Sequence, residues 1–101
     1  MKIIVNGPFK NNINNIMRDL GYHFQGEDPT AKELGFTRPR IGYPRLHLFI
    51  KPDKESVALS LHLDQKKPVY QGSVAHSGEY DGPVVEREMA RIEKYLESCK
   101  R

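Results

Sequence analysis

The chain has 101 residues, 38% of them hydrophobic, enough for one domain with one modest core (1–101) and too little for a second. Its longest apolar runs fall short of the roughly 20 residues that span a bilayer, and its amino terminus lacks the longer apolar stretch of a secretory signal, so the expectation is a soluble, cytoplasmic protein with no membrane role. A net charge of +3 is too mild to imply nucleic acid by itself, and the single cysteine, Cys99, excludes an internal disulfide.

Met1 to Val5 is a short β-branched run ending at Asn6-Gly7-Pro8, which reads as an edge strand followed by a turn. Ile13, Ile16, Met17 and Leu20 then recur at helical spacing before Gly21, predicting a helix from about Phe9 to Leu20. Asn11, Asn12, Asn14 and Asn15 form its solvated face and need no function. Tyr22 to Glu33 is polar and contains Gly26, Asp28 and Pro29, so it is expected to be a loop. Leu34 to Arg40 reads as a strand interrupted by Pro39, with Ile41-Gly42 turning the chain into Tyr43.

Two matching segments follow, Tyr43 to Lys51 and Ser56 to Asp64, each with a histidine between two leucines. Side chains alternate along a strand, so Leu46, Leu48, Ile50, Val57, Leu59, Leu61 and Leu63 share one face, and Arg45, His47, Phe49, Ser60, His62 and Asp64 share the other. Pro52-Asp53-Lys54-Glu55 joins them as a hairpin loop. Pairing Ile50 with Val57 places Arg45 opposite His62 and leaves His47 diagonal to it, whereas a two-residue slip sets the histidines opposite each other.

Beyond Gln65-Lys66-Lys67-Pro68, Val69-Tyr70 is a candidate fourth strand, and Gly72 to Gly82 is a glycine-punctuated loop of polar residues. Asp81 is placed to cap a final helix that has Pro83 in its first turn and Val85, Met89, Ile92, Leu96 and Cys99 on one stripe. Both helical stripes need an apolar partner, and the leucine face of the sheet is the large one available. The expected fold is α+β, a two-layer sandwich in which a three- to four-stranded antiparallel sheet carries two helices on one face and leaves its histidine face uncovered.

Basic residues gather on the sheet, since no acid occurs from Leu34 to Pro52 while Arg38, Arg40, Arg45 and Lys51 lie there and Lys66 and Lys67 follow. With Tyr43 and Phe49 these offer phosphate partners and stacking platforms, so nucleic-acid binding, RNA favoured, is the leading functional expectation. The competing expectation is a hydrolase or ribonuclease with His47, His62, Asp64 and His76 as catalytic candidates, working by acid–base chemistry or through a metal. No cofactor is required by the pattern. Zinc or manganese is the metal alternative, and a guanidinium between the histidines would disfavour either. A homodimer formed by stacking two such faces is the third expectation.

The runs Leu63-Asp64-Gln65-Lys66-Lys67-Pro68 and His76-Ser77-Gly78-Glu79-Tyr80-Asp81-Gly82 resemble those of a family of small uncharacterised bacterial proteins, from the Leu20-Gly21-Tyr22-His23 segment to the final helix. A looser likeness is to the HicA-type toxin ribonucleases, small proteins of the double-stranded-RNA-binding fold. That likeness implies His47 or His62 as the strand histidine and His76-Ser77-Gly78-Glu79 as the polar segment before the last helix, although the chain is longer and lacks the Gly-Ser-His signature of those toxins.

Overall fold

The protein is described from a computed structural model that covers residues 1–65 and 78–101. Lys66, Lys67, His76 and the expected Val69-Tyr70 strand lie outside the described residues. The elements run β1 (Lys2–Asn6), α1 (Ile13–Asp19), β2 (His23–Asp28), β3 (Glu33–Arg38), β4 (Arg45–Pro52), β5 (Ser56–Asp64), β6 (Gly78–Glu79) and α2 (Pro83–Ser98). The sheet is antiparallel in the order β1-β5-β4-β3-β2, with the two-residue β6 extending the β1 edge along the end of β5. The architecture is therefore the expected α+β sandwich with a wider sheet.

Two strands lie in stretches expected to be loops, the two-residue β6 within Gly72 to Gly82 and β2 within Tyr22 to Glu33; the longer of them is β2. Its residues are nearly all exposed, because it is an edge strand that gains its stability from the ladder with β3 rather than from burial. A bulge between Phe24 and Gly26 absorbs one residue of mismatch, which removes the alternation that would have marked it. α1 is shorter than expected. It starts only at Ile13, where the Asn12 side chain caps it by accepting from the Asn15 amide at 2.9 Å. Gly21, at φ +93, follows the helix in the left-handed conformation that ends it and turns the chain into β2.

The core lies between the helices and one sheet face. Ile16, Met17 and Leu20 of the first helical segment and Val85, Met89, Ile92 and Leu96 of α2 pack on Phe36, Leu48, Ile50, Leu59 and Leu61, all buried. α2 has no side-chain cap: Gly82, at φ +116, occupies the cap position, so the expected Asp81 cap is replaced by a glycine turn that directs the Asp81 side chain to solvent. Glu88 is a buried acid in this layer. It accepts from Tyr22 Oη at 2.7 Å and from Arg91 Nε and Nη2 at 2.9 and 2.8 Å, and Arg91 also donates to the Leu20 carbonyl at 2.8 Å.

The central hairpin takes the slipped register. Ile50 pairs with Leu59, Leu48 with Leu61 and Leu46 with Leu63, and His47 stands directly opposite His62. The observed register carries the ladder to Pro52–Val57 and closes a tight turn, with the Asp53 amide donating to the Ser56 carbonyl at 2.8 Å, and on the polar face it sets Arg45 opposite Asp64, an opposite-charge pair, where the other would have set Arg45 against His62.

Candidate active site on the open sheet face

The face away from the helices is built from cross-strand rows. On β4 and β5 these are Arg45 with Asp64, His47 with His62, Phe49 with Ser60 and Lys51 with Ala58. β3 adds Thr37 beside His47 and Gly35 beside Phe49, and β1 adds Lys2 beside Ser60 and Ile4 beside Ala58. β4 and β5 are interior strands with a neighbour on each side, so the backbone beneath both histidines is fixed by ladders.

Asp64 organises the centre. Its Oδ1 lies 3.0 Å from His62 Nε2, and its Oδ2 lies 3.5 Å from His47 Nδ1 and accepts from Arg45 Nε at 3.4 Å. One donor atom from each of His47, His62 and Asp64 falls within 4.8 Å of the other two. All three side chains are largely shielded, at 20%, 12% and 11% exposure. Burial holds the pKa of His47 below the ordinary imidazole value, the neighbouring His62 and Arg45 act in the same direction, and Asp64 opposes them. The burial of His47 thus favours its neutral form, in which one ring nitrogen has a lone pair available to take a proton or bind a ligand.

Aromatic rings hold the imidazoles in place. The Phe49 ring is centred 4.2 Å from that of His47, the two imidazoles are 5.0 Å apart, and Tyr80 stacks on His62 at 4.9 Å and 22°. Tyr80 thus lies against the centre, and Glu79 beside it accepts from Gln65 Nε2 at 2.9 Å. Next to the rings, Lys2, Ile4, Glu33, Phe49, Lys51 and Ser60 line a groove of about 510 Å³. A second groove of about 310 Å³ lies on the other side of Phe49 and is lined by Gln25, Asp28, Glu33 and His47. Thr37 is fully buried beneath this rim, and its hydroxyl accepts from Gln25 Nε2 at 2.8 Å.

The sequence-derived candidates divide. His47, His62, Asp64, Arg45 and Phe49 come together, and Tyr43 sits beside them under the Arg45 guanidinium, 4.8 Å from ring centroid to Cζ. Arg38 does not join them: it pairs in register with Leu46, faces the helix layer, and approaches Glu88 at 3.6 Å. Arg40 is exposed in the connection between β3 and β4. Sequence reasoning missed Lys2 and Gln25. Lys2 was legible in principle, since Ile3 and Val5 alternate with it, whereas Gln25 sits in the bulge and carries no periodic signal.

Comparisons of the chain with protein-family models, with curated proteins and with solved structures find no match.

Proposed function

We propose that the open sheet face is the active face of a phosphodiester hydrolase acting on single-stranded RNA, with His47, His62 and Asp64 at its centre. The observation that carries this reading is the convergence of two imidazoles and a carboxylate within 4.8 Å on the sheet face that lies away from both described helices. A solvated sheet face with no chemical task has no need to gather and shield three such groups. In the proposed reaction the centre activates an attacking oxygen, whose bond to phosphorus forms as the ester P–O bond breaks and a proton passes to the leaving oxygen. Arg45 and the groove lysines, Lys2 and Lys51, supply positive charge for the phosphates. Phe49 and Tyr80 offer faces on which bases stack, an arrangement suited to unpaired strands.

The test is incubation of the full chain with end-labelled RNA and DNA oligonucleotides and with a chromogenic phosphodiester. Cleavage of RNA that disappears in His47→Ala and His62→Ala, with unchanged circular dichroism, is the expected result. RNA retained on the protein without cleavage would instead favour a pure binding role, a second reading supported by the unbroken series of rings from Phe49 through His47 and His62 to Tyr80. Neither cleavage nor binding would refute both.

A further inference from the structure

We infer that His47 Nδ1, His62 Nε2 and one Asp64 carboxylate oxygen form a mononuclear zinc site with at least one open coordination position. The inference deepens the hydrolase reading by naming the ion at its centre. Donor atoms bound at about 2.0–2.1 Å to one zinc stand about 3.3 Å apart at tetrahedral angles and about 2.9 Å apart at right angles. The carboxylate already approaches both rings at such lengths, one oxygen to each: Oδ2 lies 3.5 Å from His47 Nδ1 and Oδ1 lies 3.0 Å from His62 Nε2. With one oxygen taken from Asp64, the three donors lie within 4.8 Å of one another, so binding an ion draws them together by no more than about 1.5 Å. Among the described residues this is the group of three or more His, Cys, Asp and Glu side chains that meets such spacing.

Three further features fit an ion. The ligands are preorganised, because His47 and His62 occupy paired positions on two interior strands, and Phe49 and Tyr80 pack against the rings and restrict their turning. Two nitrogens and one oxygen suit zinc, whereas magnesium and calcium prefer all-oxygen shells. The leucine core closes the site from below, and the side facing solvent is left for water or substrate.

Arg45 is the objection, since a guanidinium next to the ion costs Coulomb energy. The register answers it. Arg45 is not between the histidines but at the end of the row opposite Asp64, and it binds Oδ2 while Oδ1 faces His62. The carboxylate can thus stand between the two positive charges, with Arg45, braced on Tyr43, orienting it through Oδ2, the oxygen that His47 also approaches.

The experiment uses the full chain produced without a polyhistidine tag, stripped with a chelator and titrated with Zn²⁺ by calorimetry. Saturation near one equivalent is expected, with affinity about 100-fold or more weaker in His47→Ala and His62→Ala, while Arg87→Ala, at an exposed position on α2 across the sheet from the site, stays within about threefold of wild type. Because an alanine variant can fail to fold, wild-type protein is also loaded with Co²⁺, and the intense visible absorption of a four-coordinate ion is expected. Absence of saturable zinc binding by wild type, folded histidine variants with wild-type affinity, or a six-coordinate cobalt spectrum would each overturn the proposal. RNA cleavage that persists in chelator-stripped protein would also overturn it while leaving the hydrolase reading intact. Stoichiometric zinc lost with the histidines, in a protein that cleaves nothing, would support the ion and remove the hydrolase reading instead.

Discussion

Replacing Glu88 by Gln removes one buried charge and almost no volume. Both carboxylate oxygens of Glu88 accept: Oε2 from Tyr22 at 2.7 Å and Arg91 Nη2 at 2.8 Å, and Oε1 from Arg91 Nε at 2.9 Å. In the amide one of these positions becomes an NH2 that faces an Arg91 donor, whichever way the side chain is flipped. Charge-assisted bonds contribute about 1.5–3 kcal/mol each, and the Arg91 side chain, 41% exposed, recovers part of its loss by rehydration. The net cost is about 2.5 kcal/mol, or roughly 10–20 °C in Tm for a domain of this size. The pH dependence makes the prediction sharper. Burial alone would raise the Glu88 pKa, but the hydrogen bonds from Arg91 and Tyr22 and the charges of Arg91 and Arg38 outweigh it and hold it below the ordinary value of 4.5. A depressed folded-state pKa means that the native protein binds fewer protons, so this stability is present above the unfolded value and is lost as pH falls through the folded one. Urea unfolding followed by circular dichroism should therefore show wild type and Glu88→Gln converging as the pH is lowered from neutral to about 3. A variant within about 0.5 kcal/mol of wild type at neutral pH, or a gap that does not narrow in acid, would refute the reasoning. Glu88 lies in the helix layer, so the same variant tests whether the site depends on overall stability.

Three further outcomes follow from where the charges sit. If Lys2, Arg45 and Lys51 are the phosphate partners, single-stranded RNA affinity should fall with salt at a log–log slope of about −2.1, and Lys51→Ala should reduce that slope by about 0.7; fluorescence anisotropy at several salt concentrations reads both. Arg38→Ala should leave RNA affinity unchanged while lowering the midpoint of thermal unfolding, because that guanidinium approaches Glu88 on the opposite face, and a loss of affinity would show that the face assignment is wrong. His47 has a depressed folded-state pKa, so its contribution to stability is complete above the unfolded value of 6.5 and is lost as pH falls through the folded one; urea unfolding across that range should show this loss in wild type and not in His47→Gln.

The hairpin was legible because its two faces differ in kind. Strict alternation of leucine with polar residues over Arg45–Pro52 and Ser56–Asp64 leaves one way to bury the leucines, and the same constraint sends His47, His62 and Asp64 to the other side. The α2 stripe was readable for the same reason, with Val85, Met89, Ile92 and Leu96 all buried. β2 was not, since an edge strand with a bulge and exposed side chains has the composition of a loop, and only its ladder with β3 makes it a strand. Arg38 was misjudged by counting charge along the sequence: it stands one position past Thr37, and that single step places it on the helix side of the sheet. The contact of Tyr80 with His62 comes from a residue 18 positions away in sequence, a pairing that no local pattern encodes.

Core and site are coupled through the register of β4 on β5. Sliding the hairpin by two residues would keep leucine opposite leucine, so the hydrophobic effect, which is indifferent to which leucine it buries, cannot choose between the two alignments. The choice falls to the turn, where the Asp53 amide donates to the Ser56 carbonyl at 2.8 Å, and to the polar rows, where the observed alignment joins Arg45 to Asp64 and brings His47 opposite His62. An exposed ion pair would be a weak selector, but the side chains of Arg45 and Asp64 are only 23% and 11% exposed, and a shielded charge left unpaired costs several times more than a solvated one. Residues that assemble the centre are thus also among those that favour the observed strand pairing. This places Arg45 in both roles: its pairing with Asp64 favours the register in which the two histidines meet, and it orients the carboxylate they share.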